Sequence, residues 1–337
     1  MTESTPFGNL LREITLAAAM IFILVVGLWA HTGIMPPLVV VESSSMIHEV
    51  DGEIGSIDAG DLILVKDTSF ENIITFAEAT STQDSSYGHE MHGMEGDVII
   101  YQKNGDSGTP IIHRAILRVE VSQTMTPDRN ATADDNNSAH CPSGGTWDSH
   151  SIDLDGEMGT CVLTWNVPGT NVSDQEKITI HFNGDKAGYY DCKRMAHANV
   201  EPFLVVWDWQ PKHAGILTLG DNNQCSVDQG GLAVNGSSGV HSESGVAGPV
   251  REEWLIGVAG GEIPWLGSVK LMASGGDSPG ASFVPQSSFI YLGLVIGLVL
   301  FSPWILEKGL KNILEQSPES EQIKIEMLKY VHSSEEE

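Results

Sequence analysis

The sequence predicts a mostly β protein: a β core interrupted by an inserted β-rich subdomain and flanked by an apolar helix on either side. Three observations carry this expectation. Residues 14–30 and 289–306 are uncharged apolar runs, close to the roughly 20 residues a helix needs to cross a bilayer. Between them, short Val-, Ile- and Leu-rich runs at 38–41, 62–65, 98–101, 111–121 and 216–219 stand beside Gly-Asp or Pro, which punctuate strands rather than helices. From about 122 to 212, turn-rich acidic stretches alternate with two further strand-like runs, 161–167 and 177–182. That change of character marks the insertion.

The first apolar run is preceded by a single base, Arg12, between Glu3 and Glu13. Cleaved leaders usually begin with a basic segment, so the run reads as a retained anchor, although Ala30 would suit a cleavage site. No Lys or Arg occurs from 32 to 65 or from 271 to the second run, whereas Lys308 and Lys311 directly follow it. The positive-inside rule then places both termini in the cytoplasm. Tyr291 and Trp304 lie near the ends of the second run, as interfacial aromatics would. The expected organisation is a cytoplasmic tail (1–13), a transmembrane helix (14–31), a core in two parts (32–121 and 213–288) around the insertion (122–212), a second transmembrane helix (289–306) and an acidic cytoplasmic tail (307–337). This is a multi-pass plasma-membrane protein with its main domain outside. Within that domain, residues 70–79 carry apolar side chains at 70, 73, 74, 76 and 77, the spacing of an amphipathic helix. The Gly/Ser-rich stretch 230–248 reads as a flexible loop.

Cys141, Cys161, Cys192 and Cys225 all fall in the outer segment, and none forms a CxxC pair. An even count there favours two disulfides over a zinc site, with three pairings open. Four N-x-S/T sequons, at Asn130, Asn136, Asn171 and Asn235, occupy the same segment and fit exposure outside.

The chain carries 45 Asp+Glu against 17 Lys+Arg, a net charge of −28. So negative a surface repels phosphates and excludes nucleic acid as a partner. The segment 32–288 holds 35 of the acids and 12 of the bases, so the charge belongs mainly to the outer domain. It reads as a hydrated, repulsive surface that keeps an exposed domain soluble, with stability falling as salt is lowered.

Candidate chemistry begins at Ser43-Ser44-Ser45-Met46, directly after the strand-like run 38–41. A serine needs a base to take its proton and donors for the developing oxyanion. The candidate base is His113 in Pro110-Ile-Ile-His-Arg-Ala, and the candidate orienting carboxylates are Asp221 and Asp228 in Leu219-Gly-Asp-Asn-Asn-Gln-Cys-Ser-Val-Asp. Taken singly, each of these is a turn or a structural histidine. A rival base is Lys103, beside Asn104-Gly105, where a solvated surface lysine is the simpler reading. His89-Glu-Met-His92-Gly-Met94 gathers soft-metal donors but reads as a mobile polar loop without metal, and no cofactor is implied.

Together the segments VVVESSSM (39–46), AGDLILV (59–65), GDVIIY (96–101), PIIHR (110–114) and ILTLGDNNQCSVD (216–228) resemble the successive boxes of type I signal peptidases. Histidine in PIIHR resembles the archaeal and endoplasmic-reticulum branch. The resemblance covers about half the chain, residues 14–121 and 213–272. It implies a signal-peptidase-like β catalytic core and a membrane-bound serine endopeptidase that removes signal peptides from exported preproteins through an acyl-enzyme. By the same resemblance Ser45 is the nucleophile, and Ser43 with the backbone N–H of Ser45 forms the oxyanion hole. His113 is then the general base. Asp228 best matches the carboxylate that orients it, Asp221 being the first aspartate of the same box. The spacing of the two aspartates departs toward the bacterial form and leaves the choice between them open. Implied partners are signal peptides, the lipid bilayer and, as a further candidate, the protein-export channel. Imidazole titrates near neutrality, so activity would fall on acidification. Two other readings compete: a two-span cell-surface binding protein, and an inactive relative serving as a subunit of a complex. The apolar residues Ile34, Met35, Trp265 and Leu266 are candidates for the membrane interface or for ordinary core packing.

Overall fold

A computed structural model describes residues 6–49, 51–127, 152–154, 157–185, 187–193, 202–211, 213–230, 239–240, 247–274 and 279–315. It forms two compact units, one up to Pro285 and one from Gln286 onward.

In the first unit, α1 (Pro6–Thr32) leads into β1 (Leu38–Val40), β2 (Leu62–Lys66), the short α2 (Phe76–Ala79) and the hairpin β3 (Glu90–Met91) and β4 (Met94–Glu95). Then come β5 (Val98–Tyr101), the long β6 (Ile111–Pro127), β7 (Ile152–Leu154), β8 (Glu157–Asn166), β9 (Ile178–His181), β10 (Val205–Trp209), β11 (Gly215–Leu219), β12 (Gly239–Val240), β13 (Leu255–Ile263) and α3 (Gly267–Ala273). The main sheet has eight strands in the order β1-β2-β13-β5-β6-β8-β7, with β11 also paired to β6, and every pairing in it is antiparallel. Beside it, β9, β10 and β12 form a three-stranded sheet whose β10–β12 pair is parallel. The second unit contains α4 (Gln286–Glu315).

The protein is therefore mostly antiparallel sheet, with an apolar helix in α1 and another in α4. Leu10–Thr32 and Gln286–Pro303 are long and apolar enough to cross a membrane. In α1, Leu10, Ile14, Met20, Phe22, Ile23 and Leu24 are each more than half exposed, an arrangement that costs free energy in water. Ile34 packs partly buried against the core, whereas Met35 and Leu266 stay about half exposed.

The sheet order explains which strands are wholly buried. The strands β5 and β11 flank β6 and every residue in both is buried, so neither has a face open to solvent. In β2 only Ile63 and Val65 point into the core, the alternation of a strand with one wet face.

Two expectations need correction. The described residues of 122–212 are not set apart from the flanking parts. The strand β6 runs on without a break to Pro127 and pairs with β8 through eight residue pairs. Trp165, Phe182 and Trp209 from the insertion share one core with Phe76, Leu117 and Leu217 from the flanking parts. The helix expected at 70–79 is broken into a 3-10 turn (Phe70–Asn72) and the four-residue α2. Ile74 is taken out of helical bonding because its N–H donates to Asp97 Oδ2 (2.8 Å) and its carbonyl accepts from Asp97 N (2.8 Å). Thr75 and Glu78 then close a capping box that starts α2 afresh, satisfying orphan N–H groups at its start. Of the Gly/Ser-rich stretch, β12 and a few residues at its ends are described; the rest, and with it the expectation of a flexible loop, lies outside the described residues. Outside them too are Cys141, Asn130, Asn136, Asn235 and residues 316–337.

Of the three pairings open to the cysteines, the structure contains Cys192–Cys225, with Cα atoms 5.2 Å apart. It ties the insertion to the loop that follows β11.

Candidate active site

The serine cluster follows β1 in a turn whose start is anchored at Val41. Val41 N donates to Asp61 O (3.0 Å), and Gly60 N donates to Val41 O (2.9 Å). Met46 is 2 % exposed and plugs the core between Val41, Ile63 and Val98. This is a physical reason for a methionine there: a long flexible apolar side chain nails down the residue before it. Ser45 is thereby held partly exposed beside a buried anchor.

His113 lies in β6, opposite Ile99 of β5. Its Nε2 is 3.0 Å from Ser45 Oγ, and its Nδ1 is 2.6 Å from Asp228 Oδ2. The same carboxylate oxygen accepts from Thr218 Oγ1 (2.7 Å) and Tyr101 OH (2.9 Å). Burial alone would raise the Asp228 pKa. The His113 charge and the hydrogen bonds from His113, Thr218 and Tyr101 outweigh it and hold the carboxyl below its usual range. An ionised Asp228 accepts the Nδ1–H and leaves Nε2 free to accept the serine proton. Ser43 Oγ lies 3.1 Å from Ser45 Oγ.

Consecutive residues of a strand face opposite sides, and this separates the two aspartates. His113 reaches Asp228. Its neighbour Arg114, fully buried on the other face, reaches Asp221 through Nε to Oδ1 (2.9 Å) and Nη2 to Oδ2 (2.7 Å). Asp221 therefore does not orient His113, and Asp228 does. Asp221 also pairs with His48 Nε2 (2.8 Å) and accepts from Tyr190 OH (3.0 Å).

The loop after β11 also holds the nucleophile's backbone. Asn222 N donates to Ser45 O (2.8 Å), and Asn222 Nδ2 donates to Ser44 O (3.0 Å). Gly220 is confined by this close approach: a Cβ there would meet His113 Nε2 and Ser45 O at 2.8 Å each.

The residues from His89 to Met94, read from the sequence as a polar loop, are ordered by pairing and hydrogen bonds. They form the β3–β4 hairpin, whose Met91, Met94, Glu95 and Gly96 carbonyls all accept from Arg114 Nη1 at 2.7–3.2 Å. His89 Nε2 pairs with Asp97 (2.7 Å) and His92 Nε2 with the Ala259 carbonyl (3.0 Å). Among the described residues no group of three or more His, Cys, Asp or Glu side chains is placed to hold a metal. Lys103 is exposed at the start of the 3-10 turn Lys103–Gly105.

Sequence reasoning assigned no role to His48, Tyr101, Arg114, Tyr190, Thr218 or Asn222. One signal was available. Arg114 sits in an apolar run, where a buried guanidinium requires a carboxylate, and Asp221 is the aspartate left over once Asp228 is paired. Comparison with family models, curated proteins and solved structures finds no match.

Proposed function

We propose that the protein is a membrane-anchored serine endopeptidase of the signal-peptidase type, which removes signal peptides from exported preproteins. The observation that carries this reading is the continuous hydrogen-bonded chain Ser45 Oγ, His113 Nε2, His113 Nδ1 and Asp228 Oδ2, with links of 3.0 and 2.6 Å. The motif resemblance supplies the substrate class, and the two apolar helices supply the means of holding the enzyme at a bilayer.

His113 accepts the Ser45 proton as the alkoxide attacks the scissile carbonyl. Asp228 balances the imidazolium that forms. The tetrahedral oxyanion is held by the Ser45 N–H and the Ser43 hydroxyl. The leaving amine takes its proton from His113 and an acyl-enzyme remains. His113 then deprotonates water, which releases the signal peptide as a carboxylate.

The Lys and Arg distribution supports an arrangement with both termini in the cytoplasm and the catalytic domain outside. Ser45 follows the last residue of α1, Thr32, by 13 positions. That short tether keeps the nucleophile near the membrane surface, where the cleavage site of a signal peptide emerges. The deciding experiment mixes purified full-length protein in detergent with a preprotein and maps the cut. Cleavage at the signal-peptide junction by the wild type, abolished by Ser45→Ala, is expected. Equal cleavage by both overturns Ser45 as the nucleophile and the reading with it; cleavage by neither overturns it and favours a surface binding protein or an inactive subunit.

A further inference from the structure

Asp221 is fully buried, and both its oxygens are used. Oδ1 accepts from Arg114 Nε (2.9 Å) and Tyr190 OH (3.0 Å), while Oδ2 accepts from Arg114 Nη2 (2.7 Å) and pairs with His48 Nε2 (2.8 Å). Burial pushes its pKa up, but the Arg114 charge and the His48 and Arg114 hydrogen bonds hold it well below the usual carboxylate range. The carboxylate is therefore an ionised hub. Its partners arrive from three separate segments. His48 lies three residues beyond Ser45, Arg114 adjoins His113, and Tyr190 belongs to the insertion.

The backbone around Asp221 is joined to the nucleophile. Asp221 N donates to Met46 Sδ (3.5 Å), and the next residue, Asn222, holds the Ser44 and Ser45 carbonyls. A displacement of Asp221 is thus passed to the peptide that carries Ser45 Oγ. The insertion is fixed to the same loop twice, by the Tyr190 hydroxyl and by the Cys192–Cys225 disulfide. The Tyr190 ring is placed independently of its hydroxyl, because it packs edge-on against Phe76 with centroids 5.1 Å apart.

We infer that His48 and Tyr190 are positioning residues, which act through Asp221 to align Ser45 Oγ with His113 Nε2. The insertion is then part of the active-site framework, contributing a buttress that the two flanking core parts lack. This inference rests on the serine-peptidase reading above.

The test measures kcat, KM and melting temperature for preprotein cleavage by full-length protein in detergent. The variants are Tyr190→Phe, His48→Phe, the conservative His48→Gln and the double Tyr190→Phe/His48→Phe. Tyr190→Phe keeps the ring and removes only the hydroxyl. His48→Gln keeps a donor at about the reach of Nε2. Each single removal is expected to lower kcat about tenfold, since sub-ångström misplacement of reacting atoms carries costs of that order. KM should stay within about twofold and melting temperature near that of the wild type, while His48→Gln recovers most of the loss. The double variant should lose less than the product of the two single losses, because both act on one carboxylate. Ser45-dependent cleavage with wild-type kcat in the single variants overturns this inference alone. So do losses that follow melting temperature and multiply in the double variant. Absence of Ser45-dependent cleavage in the wild type overturns the peptidase reading and this inference with it.

Discussion

Gly220→Ala probes the packing that brings the nucleophile and base together. The added Cβ would stand 2.8 Å from His113 Nε2, 2.8 Å from Ser45 O and 2.7 Å from Asn223 Nδ2. Ordinary contact begins at 3.4 Å, so each neighbour must withdraw by about 0.6 Å or more. The Asn223 amide is the end of a side chain and can swing aside. Ser45 O is backbone, held by Asn222 N, so much of the displacement falls on the imidazole. Moving His113 Nε2 away by that amount would stretch its 3.0 Å contact with Ser45 Oγ to as much as about 3.6 Å, outside hydrogen-bond range. The expected loss in kcat is on the order of 10²-fold. Overpacking itself costs about 1–3 kcal/mol, which lowers the melting temperature by several degrees and leaves the fold intact. The assay is the initial rate of preprotein cleavage at saturating substrate by full-length protein, with Ser45→Ala as the baseline and a thermal melt alongside. A folded Gly220→Ala enzyme with wild-type kcat would refute the inferred close approach of base and nucleophile.

Three further outcomes follow from other parts of the structure. Burial, and then repulsion by Asp61, raises the Asp58 pKa from 3.8 to about 7. The folded protein keeps a proton that the unfolded chain has released, so Asp58 lowers stability as pH rises from about 4 to 7, and the full penalty applies above that. The stability gained by Asp58→Asn over the wild type should therefore be larger at pH 8 than at pH 5, by about 2–3 kcal/mol in chemical denaturation; an equal change at both pH values contradicts the assignment. Replacing Cys192 and Cys225 together by Ser opens a link between residues 33 positions apart and should cost about 3–4 kcal/mol, read as a fall in melting temperature; an unchanged melt would deny it a stabilising role. Tyr101→Phe removes one of three donors to Asp228 Oδ2 and should cut kcat by about ten- to a hundredfold, the ~1.5–3 kcal/mol worth of one hydrogen bond to a charged acceptor, in a protein that still folds; full activity would show that the remaining donors suffice.

Most strands flanking the site were legible because Val, Ile and Leu runs bounded by Gly-Asp or Pro leave few other choices. The run at 98–101 coincides with β5, and those at 38–41, 62–65 and 216–219 differ from their strands by a residue at an end. The failures share a cause: a tertiary partner decided the outcome. The spacing at 70–79 is helical, yet two bonds from Asp97 claim the backbone of Ile74. The insertion looked autonomous because apolar periodicity marks a buried face without saying what covers it. Trp165 and Trp209 turned out to be covered by the same core as Leu117 and Leu217. β13 passed unnoticed because Gly257, Gly260 and Gly261 interrupt its apolar pattern. The serine, histidine and two aspartates could be picked out, but the sequence could not say which aspartate serves which partner. That depends on His113 and Arg114 facing opposite sides of β6, and on the loop after β11 reaching both.

The central claim is that His113 is the base that activates Ser45. The most direct test is kcat/KM for preprotein cleavage by full-length His113→Ala beside full-length Lys103→Ala, in the same detergent and at the same pH. Loss of the general base should lower the rate on the order of 10⁶-fold in His113→Ala, whereas the exposed Lys103 can be removed with the rate unchanged. Cleavage by His113→Ala at the wild-type rate, or its loss in Lys103→Ala, would contradict the account.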